Sequence, residues 1–224
     1  MLMYLKLSSN SFMLMALLPV PKFLHKIKWM CSVLEDRLVH ECLDIVLEPL
    51  KKATQYGTML PDPDGNMQYC FTPLISYIAN TPEATMITCV GGKMSPVTMA
   101  IYKHFGDPFC HEPQTASMTL TQLHIVQSKA HSSNLQAFFY EAQCFRLNGI
   151  SKPFFRNLPL SCPSSFLMPE MLHYLHKECW DHNVKWCLNV IGDSELDFQL
   201  FIMQPIAGYC HFKSGISKLK QVTG

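Results

Sequence analysis

The chain is poor in charged residues and has no long hydrophobic run. Only 16% of its 224 residues are charged, and 18 basic residues nearly balance 17 acidic ones. The resulting net charge of +1 argues against a broad basic surface that binds nucleic acid through phosphates alone. No apolar stretch reaches the roughly 18 residues typical of a membrane-spanning helix, so no span is expected. The 48% hydrophobic content argues against disorder and is ample for one domain, or one and a half.

Several catalytic and metal-binding motifs are also missing from the sequence. The ten cysteines are irregularly spaced and lack the CxxC pair typical of a structural zinc site, so we expect most of them to be reduced and buried. Gly91-Gly92-Lys93 does not fit the spacing of a phosphate loop, and no GxSxG or GxGxxG motif occurs. These observations indicate no enzyme class, no cofactor and no small-molecule substrate.

The densest group of polar side chains is the segment 169–182. His173 and His176 would lie three residues apart on one helix face, with Glu170 one turn earlier. A metalloprotease helix instead spaces its histidines four apart and places a glutamate after the first, where this chain has Tyr174. We therefore interpret these histidines as local hydrogen-bonding groups rather than metal ligands.

Two further sets of side chains are weaker candidates for chemistry. Cys110-His111 and Cys210-His211 are neighbours in sequence. Neighbours point to opposite faces of a strand, which separates a thiol from its base. Glu195 and Asp197 would lie about 7 Å apart on one face of a strand, close enough to hold a divalent metal. On a helix the same two carboxylates would diverge.

The hydrophobic pattern predicts a mixed α/β chain in which helices dominate. In the first half it predicts one long helix, which Pro49 kinks and Gly57 ends, and a turn at 61–66. The predicted elements of the first half are a hairpin of the strands Met3–Leu7 and Phe12–Leu18, the helix Lys22–Tyr56, and the strands Met67–Phe71, Leu74–Ala79 and Thr85–Val90.

The second half is predicted to be mainly helical. Ser133–Gln136 fits a capping box for a helix that Asn148-Gly149 would end, and Ser151–Pro163 is a proline-rich loop. Val184–Ile191 alternates like a strand but could also extend a helix, and we favour the helix. The other predicted helices are Thr119–Lys129 and one opened by Pro169-Glu170.

Seven strings form a collinear set along the chain. They are Ile75–Glu83, Ser95–Ala100, Phe105–Thr115, Arg146–Phe154, Pro169–His173, Trp180–Cys187 and Phe212–Gly224. Together they resemble the Plavaka transposases of basidiomycete fungi, members of the CACTA-like and Kyakuja–Dileera–Zisupton group. The resemblance implies a partial ribonuclease H-like core at 1–115, followed by a mainly helical insertion at 116–224. It also implies DNA as a partner, weakly held, and a nuclear location if the protein is expressed, otherwise an intracellular one.

In such transposases three acidic residues hold two Mg²⁺ ions for DNA strand cleavage and transfer. The resemblance places one of the three at the end of the strand Leu74–Ala79, where this chain has Asn80 instead of the Asp of an Asp-x-Pro-Glu pattern. The other two acids are expected before Met3 and beyond Gly224. The resemblance therefore implies a catalytically inactive fragment, truncated at both ends, with no metal cofactor of its own.

Four other positions depart from the family pattern. Cys110, Gln114 and Cys210 stand where the family has Arg, and Cys162 stands at a family Asp. Each Arg replacement is one transition away from a CG-containing codon, which suggests mutational decay of a silenced element. Lost arginines would also weaken phosphate contacts.

Two alternatives to an inert remnant remain. One is a host-coopted DNA- or protein-binding module without catalysis, and the other is a functionless helical scaffold. Clustering of Lys213, Lys218 and Lys220 with other lysines on one face would favour the module.

Overall fold

The computed structural model of the chain describes residues 14–170, 179–203 and 215–217. These ranges contain eight α-helices and four short strands, which confirms the predicted mixed, helix-rich class. The chain divides into two compact units: one joins the residues up to Tyr77 with Pro82–Met168, and the other joins Ile78–Thr81 with the residues from Pro169 onward. The family-based boundary between residues 115 and 116 stays a prediction. None of the helices in the described ranges has the length and apolarity to cross a bilayer.

The long N-terminal helix is confirmed, in two parts: α1 spans Lys28–Val46 and α2 spans Glu48–Tyr56. Pro49 lies in the first turn of α2, where its missing N–H leaves no helical bond unmade. Gly57 ends α2 with a φ of +72°, and a Cβ there would lie 2.6 Å from the Tyr69 ring. The helix begins later than predicted because Leu24 is 99% exposed, so the preceding turn has no apolar surface to stabilise it.

The predicted N-terminal hairpin is not supported where the structure can test it. Its first strand, Met3–Leu7, lies outside the described residues, as does the start of the second. The rest of the second strand, residues 14–18, has no regular structure, and Leu14 and Leu17 are largely exposed. Pro19 and Pro21, which follow it, cannot donate hydrogen bonds to a ladder, so they do not extend a strand.

An antiparallel hairpin follows α2. Its strands are β1, Thr58–Pro61, and β2, Met67–Cys70, with Met59 paired to Tyr69. The predicted strand Met67–Phe71 is thereby confirmed, whereas β1 was not predicted. The turn at 61–66 is also confirmed: the Asp62 carboxylate accepts the backbone N–H of Asn66 at 2.8 Å, and Gly65 has a φ of +87°.

The next predicted strand is shorter than expected and the one after it is wrong. Strand β3 spans only Tyr77–Ala79 and pairs with β4, Leu167–Pro169. The first three residues of the predicted strand Thr85–Val90 belong to α3, Thr81–Ile87, and Val90 forms only an isolated bridge with Leu147. A helix begins here because Thr81-Pro82-Glu83 places a proline and an acidic residue in a first helical turn, where both are favourable. The prediction uses these residues only as the end of the preceding strand.

Two helices form the middle of the chain. Helix α4, Ala116–Lys129, confirms the predicted one and begins at Thr115, whose side chain accepts the Met118 N–H. Helix α5, Leu135–Cys144, is capped by Asn134 rather than by the predicted Ser133 box. It ends before Asn148-Gly149, because Arg146 already takes a positive φ of 65°.

The core of the first unit is built from these helices and the segment after them. Leu123, Val126 and Phe138 form its centre with Ala142 and Leu147. The predicted loop Ser151–Pro163 instead contains a 3₁₀ helix, Phe154–Asn157, and leads into α6, Pro163–Phe166. Phe154 and Phe155 are fully buried, because the short helix turns both rings inward.

The second unit is helical over most of residues 179–203. A π-helix at Cys179–Val184 continues into α7, Lys185–Ile191, and α8 spans Asp193–Ile202. The helix favoured for Val184–Ile191 is thus confirmed. Pro169, predicted to open a helix with Glu170, is the last residue of β4. The body of that predicted helix, residues 171–178, lies outside the described residues.

Candidate functional site

Asn80 lies directly after β3 and before α3, half-buried. The preceding carbonyl, of Ala79, accepts the N–H of Glu170 at 3.3 Å. In the same string, Glu83 accepts the hydroxyl of Tyr77 at 2.9 Å. Burial and then the Glu83 carboxylate raise the pKa of Tyr77, so that hydroxyl stays protonated and donates. The segment Ile75–Glu83 thus contains a polar turn between β3 and α3, and the side chain at the predicted metal-binding position is the amide of Asn80.

The second pair of predicted acids lies on a helix. Glu195 and Asp197 are both on α8, where residues two apart point about 200° apart around the axis. Glu195 accepts the Nε2 of Gln199 at 2.9 Å. Asp197 accepts the backbone N–H groups of Ile216 (2.7 Å) and Ser217 (3.0 Å), so its carboxylate holds a turn. Among residues 14–170, 179–203 and 215–217, no group of three or more metal-ligating side chains could hold an ion.

The predicted cysteine–histidine neighbours have different outcomes. His111 pairs with Asp107 through Nε2 at 3.0 Å and stacks on His104 with ring centroids 5.2 Å apart, while Cys110 is exposed. Cys210-His211 lies outside the described residues, as do His173 and His176.

The expectation that most cysteines are buried is wrong for the described part of the chain. Nine cysteines there are free, as predicted, but only Cys89 is buried. Of the other eight, four are half-buried and four are exposed.

Sequence reasoning missed a buried histidine between α1 and two later segments. His40 Nδ1 accepts the N–H of Phe154 at 3.1 Å, so Nε2 carries the proton and donates to the Met86 carbonyl at 3.0 Å. Burial lowers the pKa of His40 to about 4. Both ring nitrogens are therefore satisfied only in the neutral form.

Cys89 lies 4.0 Å from His40 Nε2, and Asp36 is one helical turn away, so the three side chains resemble a thiol–base–acid set. Their state argues against that chemistry. Burial, and then the charge of Asp36, raise the pKa of the Cys89 thiol, and the thiol is fully buried. The histidine nitrogen facing it already donates to a carbonyl, so it cannot accept the thiol proton. We interpret the set as structural.

The first unit contains a cleft of about 710 Å³. One wall is a single face of α2, and the opposite wall is the chain from Phe155 to Pro159. The first two turns of α4 also line the cleft, through Ala116, Ser117 and Leu120. The volume lies within the usual range of ligand sites, about 300–1,000 Å³.

Two cations that line the cleft are held by Asp44, which does not itself line it. The Asp44 carboxylate accepts both Lys51 and Arg156, the latter at 2.5 Å. Partial burial acts to raise the pKa of Asp44, but the bonds from Lys51 and Arg156 outweigh it, and the pKa is lowered. At the rim, Lys52 lies 3.6 Å from Glu48 and both are exposed. The three cations Lys51, Lys52 and Arg156 are thus paired with only two carboxylates, those of Asp44 and Glu48, which leaves one positive charge in surplus.

The sequence contained only a partial signal for this cleft. Glu48, Lys51, Lys52 and Gln55 repeat at helical spacing, which indicates a polar face of α2. The residues Phe155–Pro159 lie about 100 positions later in the chain, and no local pattern connects them to that face. The lysines whose clustering would favour a binding module, Lys213, Lys218 and Lys220, lie outside the described residues.

Comparison with known proteins identifies one family. The family model described as Plavaka transposase matches residues 3–187, which include Asn80 and every residue of the cleft. Six of the seven strings lie within the match, and Phe212–Gly224 lies beyond it. No curated protein and no solved structure matches the chain.

Proposed function

The chain belongs to the Plavaka transposase family. We propose that it is a transposase-derived protein without DNA cleavage activity of its own. In this proposal the chain carries part of a ribonuclease H-like core and acts in the nucleus. Intact relatives would use the complete core for metal-dependent strand cleavage and transfer. The placement of Asn80 immediately after a short strand is compatible with such a core.

The observation that carries the proposal is the amide at Asn80. A two-metal site needs carboxylates, because their charge offsets the cost of gathering two dications within about 4 Å. An amide offers one carbonyl oxygen and no charge, so a hard cation loses its main attraction there. The loss falls on the metal ions, and therefore on cleavage, without removing any surface that could contact DNA.

Incubation of the purified chain with supercoiled plasmid tests the proposal directly. We expect no nicked product with Mg²⁺ or Mn²⁺. Asn80→Asp restores the carboxylate, and Asn134→Asp is the matched control, since Asp caps α5 as well as Asn does. Metal-dependent nicking by the unmodified chain, abolished by EDTA, would show that the proposal of inactivity is wrong.

A second candidate function, a module that binds DNA without cleaving it, is favoured by the surplus positive charge of the cleft. Sedimentation and thermal melting separate this candidate from an inert remnant. A monomer with a cooperative melt is expected of a binding module, whereas an aggregate is expected of a remnant.

A further inference from the structure

We infer that the cleft along α2 binds a phosphate group, supplied either by a nucleic-acid backbone or by a free nucleotide. The inference rests on the second candidate function, binding without cleavage, and assigns it to named residues. It does not depend on Asn80, because that residue contributes nothing to the cleft.

The fixed cations at the base of the cleft are the first argument. Lys51 is only 3% exposed, and its ammonium is held by Asp44. Arg156 is held by the same carboxylate and also donates to the Pro153 carbonyl at 3.0 Å. Since one carboxylate neutralises only one of the two cations, the base keeps a positive charge whose position is fixed before any ligand arrives. A guanidinium in a fixed orientation suits a phosphate better than a mobile ammonium does.

The rim supplies a second, adjustable cation. The side chains of Lys52 and Glu48 are 66% and 53% exposed, and their nitrogen and oxygen lie 3.6 Å apart. An exposed pair of this kind contributes less than about 1 kcal/mol, so Lys52 can exchange Glu48 for a phosphate at little cost.

The remaining walls fit the rest of a nucleotide. Ser117 and Asn157 bring polar side chains that can donate hydrogen bonds. Tyr56 is 63% exposed and offers an aromatic face on which a base can stack. Cations, donors and an aromatic ring together match a phosphate joined to a nucleoside, rather than a simple carboxylate.

The test is a titration of the full chain with inorganic pyrophosphate, with a 12-nucleotide single strand and with the matching duplex. Lys52→Gln removes the rim cation. Lys185→Gln is the matched control, because Lys185 also forms an exposed pair with an acidic residue four positions earlier, Asp181. We expect Lys52→Gln to weaken binding about fivefold at low salt, and the control to leave it unchanged. With the single strand or the duplex, the slope of log K against log salt should fall by about 0.7 or 0.9.

The outcomes separate the two phosphate sources and the two proposals. Pyrophosphate binding that Lys52→Gln weakens assigns the cleft to a free nucleotide. Binding of DNA alone, with the same sensitivity, assigns it to a backbone. If neither pyrophosphate nor DNA binds, or if Lys52→Gln and Lys185→Gln have the same effect on binding, the inference is wrong. Plasmid nicking, measured in parallel, would overturn the proposed inactivity and leave the assignment of the cleft intact.

Discussion

Acid is expected to destabilise the chain through His40, and Asp36 is expected to hide part of that effect. Because burial lowers the pKa of His40 to about 4, the unfolded chain binds more protons than the folded one between pH 4 and 6.5. Stability from the neutral ring is therefore complete above pH 6.5 and falls as the pH is lowered toward 4. From the difference between these pKa values, the loss reaches about 2 kcal/mol at pH 5.

Asp36 has the opposite sign in the same pH range. Burial and then the charge of Glu35 raise its pKa to about 6, so the folded chain binds the extra proton between pH 4 and 6. Protonation of Asp36 thus stabilises the fold as the pH falls, by an amount that partial exposure reduces. Asp44, whose pKa is lowered, loses its contribution only below pH 4 and does not disturb this range.

The substitution Asp36→Asn separates the two groups. The isosteric amide cannot titrate, so the full dependence on His40 should appear, and the free energy of unfolding should drop by about 2 kcal/mol from pH 8 to pH 5. The unmodified chain should lose distinctly less. Urea denaturation at pH 8, 6.5 and 5 measures both, with Asp64→Asn in the exposed hairpin turn as the control. If Asp36→Asn has the same pH profile as the unmodified chain, the opposition between the two groups is refuted.

Two substitutions test local packing. Cys162→Asp should raise the free energy of unfolding by about 1 kcal/mol. The Cys162 sulfur accepts the Ala116 N–H at the start of α4, and a carboxylate accepts such a bond better than a thiol does. Cys162→Ser is the control without charge, and an unchanged urea midpoint for Cys162→Asp would contradict this reasoning. Gly149→Ala should cost about 2 kcal/mol or more, because Gly149 has a φ of +91° and a Cβ there would lie 2.8 Å from the Phe139 ring. Gly65→Ala, with a φ of +87° but open space around it, should cost only about 1 kcal/mol, and equal losses of melting temperature would show that the contact with Phe139 is unimportant.

Local signals predicted those elements whose ends are marked in the sequence. Helices α1 and α2 follow a 3.6-residue apolar period, with Pro49 and Gly57 at their boundaries. Helix α3 was missed because its start was interpreted only as the end of the preceding strand. Asn80 was expected after a strand and follows β3, while its role in metal binding stays a prediction.

Contacts between distant residues could not be predicted in this way. The hydrogen bond from Phe154 to His40 joins residues 114 positions apart, and the one from Arg156 to Asp44 joins residues 112 apart. Neither partner has a sequence neighbour that requires the other. A lone histidine on an apolar helix face has no local feature that distinguishes a buried hydrogen-bonding residue from a catalytic base.

Two positions at which the resemblance leads us to expect Arg differ in their structural setting. Gln114, where the resemblance leads us to expect Arg, is 5% exposed and donates to the Thr119 hydroxyl at 2.8 Å, so its amide nitrogen has a partner. Cys110 is exposed, where a change of side chain has little effect on folding. If mutational decay produced both Gln114 and Cys110, it has left the Gln114 amide with a hydrogen-bond partner and the first unit packed.

The buried histidine and the proposed phosphate site depend on the same two segments. His40 and Asp44 lie one turn apart on α1, and Phe154 and Arg156 lie two residues apart in the 3₁₀ helix. The neutral ring fixes Phe154 through its N–H, and the carboxylate one turn later fixes Arg156. Because one pair of elements makes both contacts, the position of the cleft's guanidinium is a consequence of core packing rather than of a surface ion pair. A cation placed in this way keeps its position without a ligand, which is the property that a phosphate site requires.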